Sequence, residues 1–77
     1  MAELIAFLAR ALVDKPDAVS VAQFEEEDGT LVLELTVAEE DVGQVIGRGG
    51  RTVSALRQVA RASGTKQGRR VLVDVVD

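Results

Sequence analysis

Two glycines three residues apart, Gly47 and Gly50, break the middle of this 77-residue chain. They lie in the run Val45-Ile46-Gly47-Arg48-Gly49-Gly50-Arg51-Thr52-Val53, entered from an apolar pair and left toward a basic, amphipathic segment. Without a Cβ, each glycine lets the backbone turn tightly and lets a ligand approach it closely. The turn joins two segments with helical patterns. The turn also frees backbone N–H groups at the start of the second helix, where the helix dipole favours an anion. Arg48 and Arg51 add positive charge at the same place. These features predict a clamp for a phosphate backbone.

The elements around the turn follow from hydrophobic periodicity. Ala2 to about Val13 reads as a helix, with Leu4, Leu8 and Leu12 as its apolar stripe and Ile5 and Ala11 beside it. Pro16 cannot continue the hydrogen-bond ladder and ends that segment. Val19 to about Glu25 reads as a strand, and Asp28-Gly29 as a two-residue-scale turn. Residues 30–37 alternate: Leu31, Leu33, Leu35 and Val37 share one face, and Thr30, Val32, Glu34 and Thr36 the other. The stretch 18–37 is therefore expected to be an antiparallel hairpin with one face buried. Glu39 to Ile46 reads as a short helix with Val42, Val45 and Ile46 toward the core. Gly43 inside it suggests close backbone packing or the approach of a ligand. After the turn, Arg51 to about Ser63 reads as a helix with Val53, Leu56, Val59 and Ala60 buried and Gly64 as its terminator. Thr65 to Arg69 reads as a polar loop, and Arg70 to Val76 as a final strand with Val71, Val73 and Val75 on one face.

Charge is divided along the chain. The formal net charge is −4. Residues 1–44 carry only Arg10 and Lys15 against eleven acids, whereas residues 45–77 carry seven Lys/Arg against Asp74 and Asp77. Such asymmetry points to an ionic partner, here a local anion site on an otherwise repelling body. A bipolar surface serving solubility or self-association is the alternative. The acidic run Glu25-Glu26-Glu27-Asp28 reads as a solvated loop rather than a metal site. The length allows one domain with no room for a large catalytic cleft. No run reaches the roughly 18 apolar residues of a membrane span, and the N-terminus does not read as a signal peptide.

Enzymatic readings fail on composition. There is no His and no Cys, which removes imidazole bases, thiol nucleophiles and the usual zinc ligands. Ser20, Ser54 and Ser63 lack a plausible base. Neither catalytic residues, nor a cofactor, nor a metal is expected. A P-loop would need Gly-Lys-Ser/Thr, which does not occur, and a dinucleotide fingerprint would need glycine where Thr52 stands. Phe7 and Phe24 are the only aromatic residues and are expected in the core, so a stacking platform of the RRM or OB kind is not expected.

The remaining unit, helix–Gly-x-x-Gly–helix, resembles the KH domain. Ile46-Gly47-Arg48-Gly49-Gly50-Arg51-Thr52-Val53 fits that family's I-G-x-x-G-x-x-[I/V] signature at every fixed position. The element order resembles the type II, prokaryotic variant: an α+β fold, αββααβ, with a three-stranded mixed sheet and the helices on one face. Residues 1–77 would then be a single KH domain, with 2–26 an N-terminal helix–strand extension and 30–77 the core. Glu40 through Thr52 looks like the small bacterial single-KH proteins of the KhpA family in particular. That resemblance implies a cytoplasmic single-stranded RNA-binding protein, an RNA chaperone or post-transcriptional regulator. It implies a homodimer or a heterodimer with a KhpB-like KH protein, and no membrane partner. By the same analogy Ile46 and Val53 would help line a base-binding groove, and the amides of Gly47, Gly49 and Gly50 with Arg48 would face phosphate. Arg51, Thr52 and Arg57 would extend the site. Lys66, Arg69 and Arg70, in what would be the family's variable loop, are secondary candidates. The rival expectation is a dimerisation module with vestigial RNA contact, motivated by the net negative charge and the small core.

Overall fold

A computed structural model describes residues 1–47 and 51–76; Arg48, Gly49, Gly50, Asp77 and the side chain of Arg51 lie outside the described residues. The order is α1 (Ala2–Leu12), a 3-10 turn (Pro16–Ala18), β1 (Ser20–Glu25), β2 (Leu31–Thr36), α2 (Glu39–Ile46), α3 (Arg51–Lys66) and β3 (Val71–Val76). β2 is central, antiparallel to β1 and parallel to β3. The chain thus has the α+β type II KH architecture expected from its element order.

The β1–β2 hairpin is closed by chemistry local to its loop. Glu26 N–H donates to Thr30 O at 2.8 Å, and Gly29 N–H donates to Glu26 O at 2.9 Å. Gly29 sits at φ +88°, where other residues are strained. The loop proper is therefore the three residues Glu27-Asp28-Gly29, a turn followed by a left-handed residue, one residue longer than the Asp28-Gly29 signal suggests. The Asp28 carboxylate accepts the Thr30 N–H at 2.9 Å.

One face of the sheet carries the core. Leu31, Leu33 and Leu35 of β2 are buried with Val71 and Val73 of β3, against Ile5 and Ala9 of α1, Val45 of α2, and Val53, Leu56 and Ala60 of α3. Burying a Leu or Ile side chain is worth roughly 1.5–3 kcal/mol, and this cluster is what holds the helices to the sheet. The opposite face carries the cross-strand row Phe24–Val32–Leu72 beside the row Ala22–Glu34–Asp74.

Five sequence expectations are corrected here. In α1 the buried face is Ile5, Ala6 and Ala9, while Leu4 and Leu12 are exposed and Leu8 is half-buried. The sheet packs one residue round the helix from the leucine stripe. Phe7 and Phe24 are not core residues but 68% and 51% exposed. Phe7 is on the side of α1 turned away from the core, and Phe24 alternates onto the open sheet face. Ile46, at the last position of α2, is 46% exposed, and Val59 also lies at the surface. Gly64 does not end α3, which runs on to Lys66. A Cβ on Gly64 would sit 2.6 Å from Arg69 O and 2.6 Å from Val71 Cγ2, so glycine is there for the passage of the chain into β3. The helix ends instead at Gly68, φ +68°, with Arg69 N–H bonded to Gly64 O at 2.7 Å and Gly68 N–H to Thr65 O at 3.0 Å. That pair of bonds is a Schellman cap, and it shortens the expected polar loop. Gly43, in turn, has nothing within 4 Å of where a Cβ would be, so close packing does not account for it.

Candidate nucleic-acid interface

The Gly47–Gly50 run joins two helices, α2 and α3, that are separately anchored. α2 is held by residues 12–15, the strap that follows α1. Asp41, 1% exposed, accepts the N–H of Asp14 at 3.2 Å and of Lys15 at 3.0 Å. Lys15 pairs with Glu40, and Gln44 Nε2 reaches Leu12 O at 3.5 Å. Asp41 and Gln44 thus fasten the backbone of residues 12–15, Glu40 holds the Lys15 side chain, and together they fix α2, the helix from which Gly47 leaves. The Lys15 ammonium holds the Glu40 carboxyl below its ordinary value, and Glu40 in turn raises that of Lys15. Gly47 N–H donates to Gly43 O at 2.6 Å. A Cβ on Gly47 would collide with that same carbonyl, so the first glycine of the motif is required by its own helix end.

α3 starts directly after the turn and runs antiparallel to β3. Arg57 Nε donates to Val73 O at 3.2 Å. Further along, Arg61 and Thr65 line a surface groove with Arg69, Arg70, Val71 and Leu72. A neighbouring groove is formed by Arg57, Arg61 and the β3 segment from Val71 to Asp74. β3 is an edge strand, hydrogen-bonded only to β2 in the sheet, so its outer rim offers backbone donors and acceptors. From Arg51 to Thr65 the helix rises about 21 Å. The two grooves share Arg61, Val71 and Leu72 and form a trough between α3 and β3, with Arg57 and Arg61 on its helical wall.

The expected site residues are distributed as follows. Gly47 and the backbone of Arg51 are at the turn, Thr52 is half-buried at the start of α3, and Ile46 is exposed beside it. Val53 is buried in the core and does not open onto a groove. Arg57 lines the trough. Lys66 and Arg70 are exposed near its far end. Arg69 is committed elsewhere: it pairs with Glu25 and its Nε donates to Gly29 O at 3.4 Å, tying the end of α3 to the hairpin loop. Arg48, Gly49 and Gly50 lie outside the described residues. Sequence reasoning missed Arg61 and the rim of β3. The signal for Arg61 was its i+4 spacing from Arg57, which puts both on one helix face. Among the described residues no group of three or more carboxylates converges on a cation position. None of the described helices is long and apolar enough to cross a membrane.

A family model described as KhpA/KhpB, KH domain, matches residues 2–75. The chain belongs to the KhpA/KhpB KH-domain family. It is 50% identical over 78 residues to the RNA-binding protein KhpA of Halalkalibacterium halodurans, covering 100% of both chains. It is 42% identical over 76 residues to the RNA-binding protein KhpA of Caldanaerobacter subterraneus, covering 99% of this chain and 100% of the other. With that of Treponema pallidum it shares 47% over 75 residues, covering 97% and 92%. Among solved structures it is similar to Era bound to MgGDPNP and nucleotides 1506–1542 of 16S ribosomal RNA, with a TM-score of 0.61 at 20% identity. A variant of Aquifex aeolicus Era bound to GDP.AlF4- matches with a TM-score of 0.60, also at 20% identity. In each case 96% of this chain matches 28% of the other, which shows that the KhpA/KhpB fold recurs as part of a larger protein.

Proposed function

We propose that this chain binds single-stranded RNA, holding the phosphate backbone at the Gly47–Gly50 turn and laying the following bases in the trough between α3 and β3. The observation that carries the reading is the trough itself. Arg57 and Arg61 stand on one face of α3 beside the rim of β3, and the bond from Arg57 Nε to Val73 O ties that helix face to the strand. Backbone amides and arginines grip phosphate, while a strand rim bonds base edges without an aromatic platform. The names of the relatives, all RNA-binding proteins, support it. In the cell such a protein acts as an RNA chaperone or post-transcriptional regulator rather than an enzyme. The open sheet face does not serve as a second RNA platform: Phe24 is exposed there, but Glu34 and Asp74 run alongside it and repel phosphate.

The test is fluorescence anisotropy of short RNA oligomers at low and physiological salt. Wild type should bind in a salt-sensitive manner. Arg48→Asp/Gly49→Asp should lose at least about tenfold in affinity, and Arg61→Ala should weaken binding while reducing the log–log salt slope by about 0.7. Unchanged binding by the folded double variant would remove the turn from the site. The second reading, a protein-interaction module, is favoured by a different observation, the exposed apolar side of α1. The two functions are compatible, and pairing with a second KH domain, of its own or of a KhpB-like protein, belongs to that reading.

A further inference from the structure

The helices cover one face of the sheet and leave the other bare. Three cross-strand rows make up the bare face: Phe24–Val32–Leu72, Ala22–Glu34–Asp74 and Ser20–Thr36–Val76. A sheet face left to water normally carries polar side chains. Here Phe24, Leu72 and Val76 are 51%, 42% and 40% exposed, with Val32 between the first two. The middle row is acidic. Glu34 and Asp74 stand side by side on neighbouring strands, where like charges destabilise. No lysine or arginine occupies any of the three rows. Neither acid forms an ion pair among the described residues. An apolar row beside an uncompensated acidic pair is a surface that lacks a partner.

We propose that this face docks a basic amphipathic helix of another protein. Its apolar stripe lies on Phe24, Val32 and Leu72, and two lysines or arginines on its flank stand over Glu34 and Asp74. The occupant is basic because cations over the acidic row relieve the repulsion there, while the same row turns phosphate away. It is helical because a sheet face offers no backbone donors or acceptors, so the occupant must satisfy its own. The spacing agrees. Neighbouring strands are about 4.8 Å apart, and residues three or four apart on a helix are about 5–6 Å apart. A helix lying across the strands therefore brings one cation over each carboxylate. An extended segment repeats its side chains at about 6.7 Å on one face and matches less well. The apolar and acidic rows are themselves about 6.7 Å apart along the strands, within the width of about 10 Å of one helix.

Three strands of six residues make a face of about 14 Å by 20 Å. That is well below the roughly 800 Å² per partner of a standard interface, so the complex is transient. Leu72 and Asp74 also border the groove of Arg57 and Arg61, which places the docked helix next to the proposed RNA path. The inference rests on the sheet face alone and stands whether or not that path is right.

The test is an NMR titration of the whole chain with a synthetic helix of about five turns, leucines along one stripe and lysines along its flank. Amide shifts should be confined to β1, β2 and β3 and centred on Phe24, Val32 and Glu34. Phe24→Ala and Glu34→Lys, both away from the groove of Arg57, should each weaken binding by about tenfold. Glu34→Lys/Asp74→Lys should abolish it and instead bind the same peptide with glutamates in place of lysines. Glu26→Lys/Glu27→Lys changes the net charge equally at the exposed hairpin tip and should bind like wild type. Circular dichroism checks folding, and Glu34→Gln/Asp74→Asn reads the same charges if the lysine variants fail to fold. No binding by wild type would overturn the proposal. So would shifts centred on α1 or the hairpin tip, or a tip variant as impaired as the face variant. A single-stranded RNA oligomer shifting the Phe24 and Glu34 amides would overturn it in favour of a nucleic acid. A dimer in sedimentation velocity that Phe24→Ala dissolves would overturn it in favour of a second copy.

Discussion

Asp41 is the side chain whose loss costs most for its size. It is buried, it accepts two backbone N–H groups from the strap at 14 and 15, and it sits in the helix that ends at Gly47. Asp41→Ala leaves both donors without their partner and should lower stability by about 2–3 kcal/mol in urea titration. Because the strap anchors α2, RNA affinity should fall as well, with the glycine turn itself untouched. Asp28 acts differently. Its hydrogen bond from the Thr30 N–H lowers its carboxyl below the ordinary 3.8. A group lowered in the folded state stabilises above its unfolded value, and that contribution disappears as pH falls through the folded one. The hairpin should therefore weaken on acidification below about pH 4. The Asp28→Asn variant should lack this component of the acid limb when urea midpoints are compared from neutral to acid pH. Neither residue advertises its role in the sequence. Asp28 is legible as a turn residue, but Asp41 reads as one of three acids in a helical first turn, and its partners are more than 25 residues away.

The elements themselves were largely legible, because each rests on periodicity and local punctuation. The alternation of residues 30–37 gave the buried face of β2 residue by residue, and the bounds of α2 match its apolar spacing. What failed did so for one reason. Hydrophobicity marks a surface that wants covering but does not say what covers it, so Phe7, Leu4, Val59 and Phe24 all read as core. Gly64 failed for the converse reason: its requirement comes from a tertiary approach by Arg69 and Val71, invisible from neighbours in sequence. The two glycines at the end of α3 should consequently respond differently. Gly68→Ala places an alanine at positive φ and should cost about 1–2 kcal/mol. Gly64→Ala improves helix propensity yet forces apart α3 and β3, and should cost about 1–3 kcal/mol. Thermal denaturation of both variants checks the pair. A Gly64→Ala protein as stable as wild type would show that the β3 entry yields easily.

Over the whole molecule, charge is divided between the two halves of the chain. The acidic half holds α1 and the hairpin, and the basic half holds the turn, α3 and most of the trough. Only a few phosphates can be neutralised by such a local field, so the log–log dependence of RNA affinity on salt should have a slope of about −2 to −3, corresponding to three or four contacts. A much steeper slope would mean that the RNA path extends beyond the trough. The proposed path is half legible in the sequence: its glycine run stands in consecutive residues, but the groove beside α3 depends on β3 returning parallel to β2. This topology also sets an order in time. β1 and β2 meet across a three-residue loop, the kind of closure that takes microseconds. β2 and β3 pair across residues 37–70, a long-range closure that is intrinsically slow, whereas the helices between them close locally. During refolding the arginines of α3 therefore exist before the rim they face. RNA added to a stopped-flow refolding reaction should be captured only in the final phase, when the last strand seats and turns a charged helix into a binding site.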